Sequence, residues 1–430
     1  MFRKITNALT EWKNSEYRKP LILQGARQVG KTYSVLEFGR ENYESVAYIN
    51  FEDKETHKIF DGSVNTETLI SRLSVFTRKT ITKGNTLIFL DEVQLCPPAL
   101  TALKYFCEFA PEYHIIVAGS LLGVAVSREQ YSFPVGKVNF LTLYPMDIEE
   151  FFMATGYGEY ISQIKRCFET DAPMDAFMHS ELMKQYLQYL VVGGLPECVA
   201  KYAATKNYEL IRATQNEILI SYLNDMSKYN SKTEIQKTRL AYNNITTQLS
   251  KKNTRFQYKL IKSGGRASEF ENAIEWLALS GIVSRVYHLD TIMKPLDNYK
   301  NIDSFKIYIS DTGLLCANKN IPAADIIHGS EELNDFKGGM TENYVCRQLT
   351  ANGHICYSWN SEGIAEMDFV IQREGRIIPI EVKSAANNQA KSLAVYMKRF
   401  KPEYAVKISA GNFGSENGVK TIPLYAAFCI

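Results

Sequence analysis

The sequence lacks the features that mark several classes of protein. No apolar run in its 430 residues approaches the ~18 residues of a membrane-spanning helix. The eight cysteines include no C-x-x-C pair, which argues against structural zinc or a disulfide framework. The six histidines form no H-E-x-x-H motif. Low-complexity segments and internal repeats are also missing, so an ordinary globular protein without a transmembrane segment is expected.

An excess of one charge is missing too. Lys and Arg number 49 against 47 Asp and Glu, which gives a net charge of +2. Any contact with nucleic acid must therefore come from a local basic patch. The N-terminal segment MFRKITNALTEWKNSEYRK carries charges throughout and has no signal-peptide core. We therefore expect a cytoplasmic protein.

The hydrophobic pattern divides the chain into three parts. Residues 20–145 alternate short β-branched runs with amphipathic runs, which predicts a parallel sheet with crossover helices. From about 147 to 230 the pattern is helical, broken by VVGGLPE. Residues 234–310 predict three helices and two strands, the outline of a winged helix-turn-helix, and from 340 the pattern is again α/β. The predicted strands of the first part are PLILQGA, SVAYINFE, NTLIFLDE, HIIVAGS and KVNFLTLYP.

The segment GARQVGKT fits the Walker A pattern G-x-x-x-x-G-K-[ST], follows an apolar strand and precedes a helix. Glycines let backbone N–H groups surround phosphate oxygens at a helix N-terminus. Lys31 would contact the β- and γ-phosphates, and Thr32 would bind Mg²⁺. The alternative is a glycine turn followed by a chance lysine. The predicted ATP-binding residues are Gly25, Ala26, Arg27, Gln28, Val29, Gly30, Lys31 and Thr32.

The run TLIFLDEVQ supplies the Walker B acids about 60 residues later. Asp91 would complete the Mg²⁺ shell, and Glu92 would orient and polarise the attacking water. Ser120, at the end of HIIVAGS, is a candidate sensor of the γ-phosphate, with a simple strand-end turn as the alternative. These residues favour ATP hydrolysis over binding alone.

Positive charge is concentrated between residues 228 and 266, where ten basic residues face one acid, Glu234. Together with the winged-helix outline, this patch favours contacts with the phosphate backbone of DNA. The alternative is a solvated helical face on a domain that binds protein. The basic residues are Lys228, Lys232, Lys237, Arg239, Lys251, Lys252, Arg255, Lys259, Lys262 and Arg266.

The segment MDFVIQREGRIIPIEVK predicts a β-hairpin that turns at Glu374-Gly375. Carrying this register back from the turn places Asp368 opposite Glu381, ~5 Å apart on one face. Lys383 shares that face because strand side chains alternate. Two opposed carboxylates repel each other, and a divalent cation between them would remove the repulsion. Glu342, near a helix start, is a further candidate ligand, or else an ordinary acid of a first helical turn.

The order Glu342, Asp368, Glu381 and Lys383 on helix, strand and strand is similar to the PD-(D/E)xK nuclease superfamily. The resemblance implies that the three acids hold Mg²⁺. It also implies that the lysine positions water and stabilises charge on the phosphate. Met367 stands where the superfamily often has proline.

Across nearly its whole length the chain resembles bacterial and archaeal P-loop ATPases that join an AAA-type domain to a C-terminal domain of unknown function, family 4143. Besides the P-loop, the matching segments include IFLDEVQ, VVGGLPE, KIYISDTGLL and TENYVCRQL. The resemblance implies an α/β chain in three domains. These are an AAA+-like ATPase domain at 1–150, a helical lid plus winged helix at 151–335, and a nuclease-like domain at 336–430.

Two functional hypotheses follow. In the first, the chain is a Mg²⁺- and ATP-dependent enzyme that acts on DNA through the basic region, and its C-terminal domain cuts or grips the DNA. In the second, it is a regulatory ATPase whose nucleotide state controls a protein partner, and an inactive nuclease-like domain serves for docking. Both hypotheses require ATP hydrolysis, and both allow an oligomer.

Overall fold

The computed structural model divides into two compact units. The smaller unit consists of Phe2–Tyr144 and Leu279–Gly281, and the larger unit consists of Met1, Pro145–Ala278 and Ile282–Ile430. Among the described residues, no helix is both long and apolar enough to cross a membrane. The structure describes residues 1–62, 65–120, 134–225, 232–249, 255–361, 365–385 and 391–430.

The smaller unit is built on a parallel five-stranded sheet in the order β2-β3-β4-β1-β5. All five predicted strands are confirmed. Every residue of β3 is buried, as expected for a central parallel strand covered on both faces. The strands are β1 Leu21–Gly25, β2 Ser45–Asn50, β3 Thr86–Asp91, β4 His114–Ser120 and β5 Asn139–Thr142. The helices described in this unit are α1 Ile5–Asn14, α2 Lys31–Asn42, α3 Thr66–Thr77 and α4 Pro97–Phe109.

The larger unit begins with a group of helices, as the pattern from 147 predicts. The first of them starts with a capping box, in which Asp147 accepts from the backbone N–H of Glu150 and Glu150 accepts from that of Asp147. The helices are α5 Ile148–Thr155, α6 Ile161–Thr170, α7 Ala176–Val192, α8 Pro196–Thr205 and α9 Tyr208–Asp225.

Of the three helices predicted after residue 234, the first and third are present. They are α10 Lys232–Leu249 and α11 Ala267–Leu279. The second is reduced to a 3₁₀ turn at Tyr258–Leu260. A seven-residue segment is too short to stabilise a helix by itself, and the glycine pair at 264–265 ends it. The two strands that follow, β6 Val283–Leu289 and β7 Lys300–Ile309, pair antiparallel.

These two strands extend the sheet of the C-terminal residues into one sheet of eight, ordered β12-β13-β11-β10-β9-β8-β6-β7. Strand β6 makes the junction by pairing parallel with β8. The remaining strands are β8 Tyr357–Asn360, β9 Glu366–Arg373, β10 Arg376–Val382, β11 Ala405–Ser409, β12 Gly414–Glu416 and β13 Val419–Pro423. The remaining helices are α12 Thr312–Asn318, α13 Ala323–Ile327, α14 Asn334–Ala351 and α15 Lys391–Phe400.

Gly193 and Gly194 of the VVGGLPE segment pack against Asp311 of the KIYISDTGLL segment. The carboxylate of Asp311 accepts from the backbone N–H of Gly194 at 2.6 Å and from that of Leu314 at 2.9 Å. A Cβ on Gly193 would lie 2.2 Å from Asp311 Oδ1, and one on Gly194 would lie 2.0 Å from the carbonyl oxygen of Met146. Asp311 is 3% exposed. Two motifs that are far apart in the sequence therefore form one buried structural contact.

Candidate functional site

The Walker A segment forms a loop between β1 and α2, and its eight predicted residues, Gly25 to Thr32, lie together there. Gln28 and Gly30 adopt positive φ of 63° and 91°, so the backbone turns sharply before the helix begins at Lys31. A Cβ on Gly25 would lie 2.3 Å from the carbonyl oxygen of Leu143, so this position requires glycine. The loop thus presents its backbone at a helix N-terminus, where phosphate groups bind.

Lys31 is 8% exposed, and its ammonium group is directed back at its own loop. Nζ donates to the carbonyl oxygens of Gly25 at 3.0 Å and Ala26 at 2.9 Å. These bonds hold a positive charge against the Walker A loop.

Thr32, in the first turn of α2, contacts Asp91, the last residue of β3. The hydroxyl of Thr32 donates to Asp91 Oδ2 at 2.6 Å, and the hydroxyl of Tyr48 donates to the same oxygen at 3.3 Å. Burial and the Asp91 charge raise the pKa of Tyr48 to about 12. Adjacent hydroxyl and carboxylate oxygens are the donors that Mg²⁺ prefers, so this pair fits the predicted Mg²⁺. Tyr48 was not identified from the sequence, where it is one aromatic residue in a strand.

Glu92 follows β3 in a left-handed conformation with φ 52°. Its backbone N–H donates to Asp91 Oδ1 at 3.0 Å, and its carboxylate accepts from Gln94 Nε2 at 2.5 Å. Positive φ is costly for a residue other than glycine and is common at functional sites. The hydrogen bond from Gln94, the last residue of the DEVQ segment, orients the carboxylate of Glu92, which is the predicted general base.

Ser120 ends β4, and its backbone lies in register with Gly25 of the Walker A loop. The strand thus reaches the loop as predicted. The side chain of Ser120 falls outside the described residues, so its role as a γ-phosphate sensor stays a prediction.

Arg3 is a second side chain that the sequence reasoning missed. It is 4% exposed, and its guanidinium donates to the carbonyl oxygens of Val29 and Tyr144, both at 2.7 Å. It thereby ties the Walker A loop to the end of the sheet beyond β5. No sequence pattern marks this arginine, because its two partners are backbone atoms far along the chain.

In the C-terminal sheet, the predicted hairpin register is confirmed from Arg373↔Arg376 to Phe369↔Ile380. The ladder stops there. Instead of pairing across to Glu381, the carboxylate of Asp368 accepts from the backbone N–H of Val382 at 2.8 Å. This bond holds the Asp368 side chain against β10.

Lys306 of β7, which the sequence reasoning missed, lies among three carboxylates. Its Nζ is 2.9 Å from Glu366 Oε1, 3.4 Å from Glu342 Oε2 and 3.8 Å from Asp368 Oδ1. The hydroxyl of Tyr308 also donates to Glu342, at 3.1 Å. We call Lys306, Glu342, Glu366 and Asp368 the Lys306 cluster. A lysine in a mostly buried strand gives no sequence signal until the strand's neighbours are known.

The pKa values of Asp368 and Lys306 in the Lys306 cluster are strongly shifted. Burial, helped by the negative charge of Glu342, raises the pKa of Asp368 to about 7. Burial alone would lower the pKa of Lys306. The carboxylates of Glu342, Asp368 and Glu366 outweigh that effect, so its pKa lies above the ordinary value. Lys306 is therefore a fixed positive charge.

Glu381 pairs with Lys383 instead of joining the cluster. Lys383 Nζ lies 2.9 Å from Glu381 Oε1, while Glu381 Oε2 is buried without a hydrogen-bond partner. Burial lowers the pKa of Lys383, but the hydrogen bond with Glu381 and the surrounding negative charge raise it overall. The predicted closeness of Glu381 and Lys383 is therefore observed.

A cavity of about 570 Å³ opens beside these groups and is lined by Lys306, Glu342, Glu366, Asp368 and Lys383, among others. Within the described residues, no three His, Cys, Asp or Glu side chains are placed to hold a metal ion. An ammonium group lies where a cation would contact Glu342 and Asp368. The residues as arranged thus do not fit the predicted divalent cation at Glu342, Asp368 and Glu381.

The basic region is only partly within the described residues, because Lys228, Lys251 and Lys252 and the side chain of Lys232 lie outside them. Lys237 pairs with Glu234 at 3.0 Å. The aromatic residue Phe256 stacks on Phe305 at 5.9 Å, so it packs within the unit. Five basic side chains are exposed, and they are Arg239, Arg255, Lys259, Lys262 and Arg266.

Three consecutive segments of the chain match protein-family models. Residues 17–152 match a family described as AAA domain. Residues 183–325 and 337–427 match two domains of unknown function, DUF8612 and DUF4143. These matches support an AAA-type ATPase domain followed by a C-terminal domain of family 4143. No curated protein matches the sequence.

Solved structures that match this chain include three at low sequence identity. The Walker-type ATPase PABY2304 of Pyrococcus abyssi is 12% identical, over 74% of this chain and 95% of that one, with a TM-score of 0.46. The Aeropyrum pernix ORC1 protein, solved in complex with DNA, is 13% identical over 75% and 92%, with a TM-score of 0.28. The Thermotoga maritima RuvB Holliday junction branch migration motor is 12% identical over 66% and 90%, with a TM-score of 0.29.

Proposed function

We propose that the N-terminal unit binds and hydrolyses ATP with Mg²⁺. The observation that carries this proposal is the 2.6 Å contact between Thr32 Oγ1 and Asp91 Oδ2, beside Lys31 and Glu92. Two residues almost 60 positions apart meet at the start of the helix that follows the Walker A loop. This is the arrangement that phosphoryl transfer requires.

The roles follow from the geometry. The backbone of the Walker A loop and the start of α2 bind phosphate oxygens, and Lys31 neutralises their charge. Thr32 and Asp91 would hold Mg²⁺, which would offset charge on the phosphates when bound. Glu92, oriented by Gln94, accepts a proton from the attacking water. Arg3 keeps the loop in position.

Replacing Lys31 with alanine should weaken ATP binding. One hydrogen bond that involves a charged group contributes about 1.5–3 kcal/mol, so the loss of one such bond should lower the affinity by about 10- to 150-fold. The measurement is the titration of a fluorescent ATP analogue. Lys104, an exposed lysine of α4, provides the matched control, and Lys104→Ala should bind ATP normally. Full ATP affinity and turnover in Lys31→Ala would contradict the proposal.

We further propose that the ATPase acts on DNA. The support is the group of five exposed basic side chains between Arg239 and Arg266. The neighbouring helix α11 carries Glu269, Glu271 and Glu275, so the contact would be confined to the basic residues before it. The proposed mode is contact with phosphates, without reading of bases.

The test is DNA affinity across a salt series, with and without ATP. If all five side chains contact phosphates, the logarithm of the affinity should fall with the logarithm of salt concentration with a slope of about −4.5. In the double variant Lys259→Gln, Arg266→Gln the slope should be less steep by about 2. The control pair Lys184→Gln and Lys398→Gln lies outside the region and should leave it unchanged. A salt-independent affinity, or none, would favour the alternative of a switch that binds a protein partner.

Metal-dependent cleavage by the C-terminal domain is the second candidate activity. In its favour, Glu342, Asp368 and Lys383 line one cavity, as the nuclease-like pattern predicts. Against it, Lys306 lies between the acids. We propose that this domain, in the arrangement observed, grips DNA or a protein partner and does not cut.

A further inference from the structure

The Lys306 cluster contains a buried ammonium group in a place where three carboxylates converge. The side chain of Lys306 is 7% exposed, and those of Glu342, Glu366 and Asp368 are 29%, 30% and 14% exposed. A buried lysine is costly unless it is paired, and here it has three anionic neighbours. The lysine is therefore held by the cluster and is not an incidental surface charge.

The three acids come from two elements. Glu342 lies on α14, and Glu366 and Asp368 lie on β9. Lys306 reaches them from β7, which is not adjacent to β9 in the sheet. One cation thus joins a helix and two separated strands.

We propose that Lys306 is the resident cation of this cluster and that it excludes a divalent metal ion from Glu342 and Asp368. A metal ion bound to these oxygens would lie within a few ångströms of the ammonium group, and the two positive charges would repel. The ammonium group lies 3.4 Å from Glu342 Oε2 and 3.8 Å from Asp368 Oδ1, so it occupies the position that a metal ion bound to both carboxylates would need. The inference rests on the proposal that the C-terminal domain grips without cutting. Exclusion of the metal ion would be the physical reason that this domain does not cut.

The test is Mn²⁺ binding to the full chain, followed by electron paramagnetic resonance, without ATP or DNA. All proteins carry Asp91→Asn so that the Walker site contributes little. The key variant combines Lys306→Met with Glu366→Gln, which removes one charge of each sign and leaves Glu342 and Asp368 in place. Adding Asp368→Asn to it gives the matched control.

The expected result is that the Lys306→Met, Glu366→Gln variant binds one Mn²⁺ at least tenfold more tightly than the protein with native Lys306. The addition of Asp368→Asn should remove that site. Glu366→Gln alone should not create one, because the ammonium group remains.

Two results would overturn the inference. One is that the protein with Lys306 binds Mn²⁺ as tightly as the variant, through a site that Asp368→Asn removes. The other is that the folded variant binds no Mn²⁺, which would show that the acids do not form a cation site even without lysine. If circular dichroism shows that the methionine variant is unfolded, Lys306→Gln with Glu366→Gln replaces it, since glutamine keeps the length and polarity.

This test is independent of the proposed action on DNA. Loss of DNA binding or ATP turnover would not affect Mn²⁺ binding at the cluster. A complementary measurement is plasmid nicking with Mg²⁺ by the protein with native Asp91. No nicking above that of its Asp368→Asn variant is expected, and nicking that this substitution abolishes would contradict the exclusion of metal.

Discussion

Replacing Glu92 with glutamine is expected to lower ATP turnover by about 10²–10⁴-fold, the range contributed by a general base. The amide keeps the size of the side chain but cannot accept the proton of the attacking water. ATP affinity should stay within a few-fold of the wild-type value, because the residues that hold the phosphates are unchanged. Steady-state phosphate release and equilibrium binding of a fluorescent ATP analogue measure the two quantities separately.

Glu52 provides the control for this substitution. It is an exposed acid that follows β2, the strand next to β3 in the sheet. Glu52→Gln should leave both turnover and binding unchanged. Unchanged turnover in Glu92→Gln would show that Glu92 is not the base. Loss of ATP binding with loss of turnover would point to a structural role for its carboxylate.

The second large effect is expected on stability, from Asp311→Ala. The substitution leaves the buried N–H groups of Gly194 and Leu314 without their acceptor. Each unsatisfied buried donor costs about 1–3 kcal/mol, so the free energy of unfolding should fall by roughly 3 kcal/mol or more. Urea denaturation followed by circular dichroism measures the loss.

Two variants separate this contact from a general effect of removing an acid. Asp311→Asn keeps one acceptor oxygen but directs an amide N–H₂ at the second donor, so an intermediate loss is expected. Asp303→Ala removes an exposed acid of β7 and should change stability by no more than about 0.5 kcal/mol. Equal stability of Asp311→Ala and Asp303→Ala would show that the buried contact contributes little.

The Walker A loop and the parallel sheet could be predicted from the sequence because their signals are local. A glycine-rich loop between an apolar strand and a helix needs only neighbouring residues to be recognised. The Walker A and Walker B patterns assigned Thr32 and Asp91 to the same Mg²⁺, and in the structure these two side chains are in contact. Arg3 could not be predicted, because it binds the carbonyl oxygens of Val29 and Tyr144, and backbone acceptors leave no trace in the sequence.

The C-terminal hairpin shows the limit of such prediction. Turn geometry determined its register, and the structure confirms that register through Phe369↔Ile380. At the next position, the carboxylate of Asp368 accepts from the backbone N–H of Val382, a side-chain bond that no register argument contains.

By itself, the sequence determined the Walker loop, the five strands of the parallel sheet, and the hairpin register from Arg373↔Arg376 to Phe369↔Ile380. These features depend on residues that are close along the chain or on period-two and helical patterns. Only the tertiary structure decided what lies between the acids. Lys306 belongs to a strand about 60 residues before Asp368, and β6 and β7 join the same sheet as the hairpin of β9 and β10. A buried ion pair between distant strands depends on which strands become neighbours, and that choice is made by packing of the whole sheet.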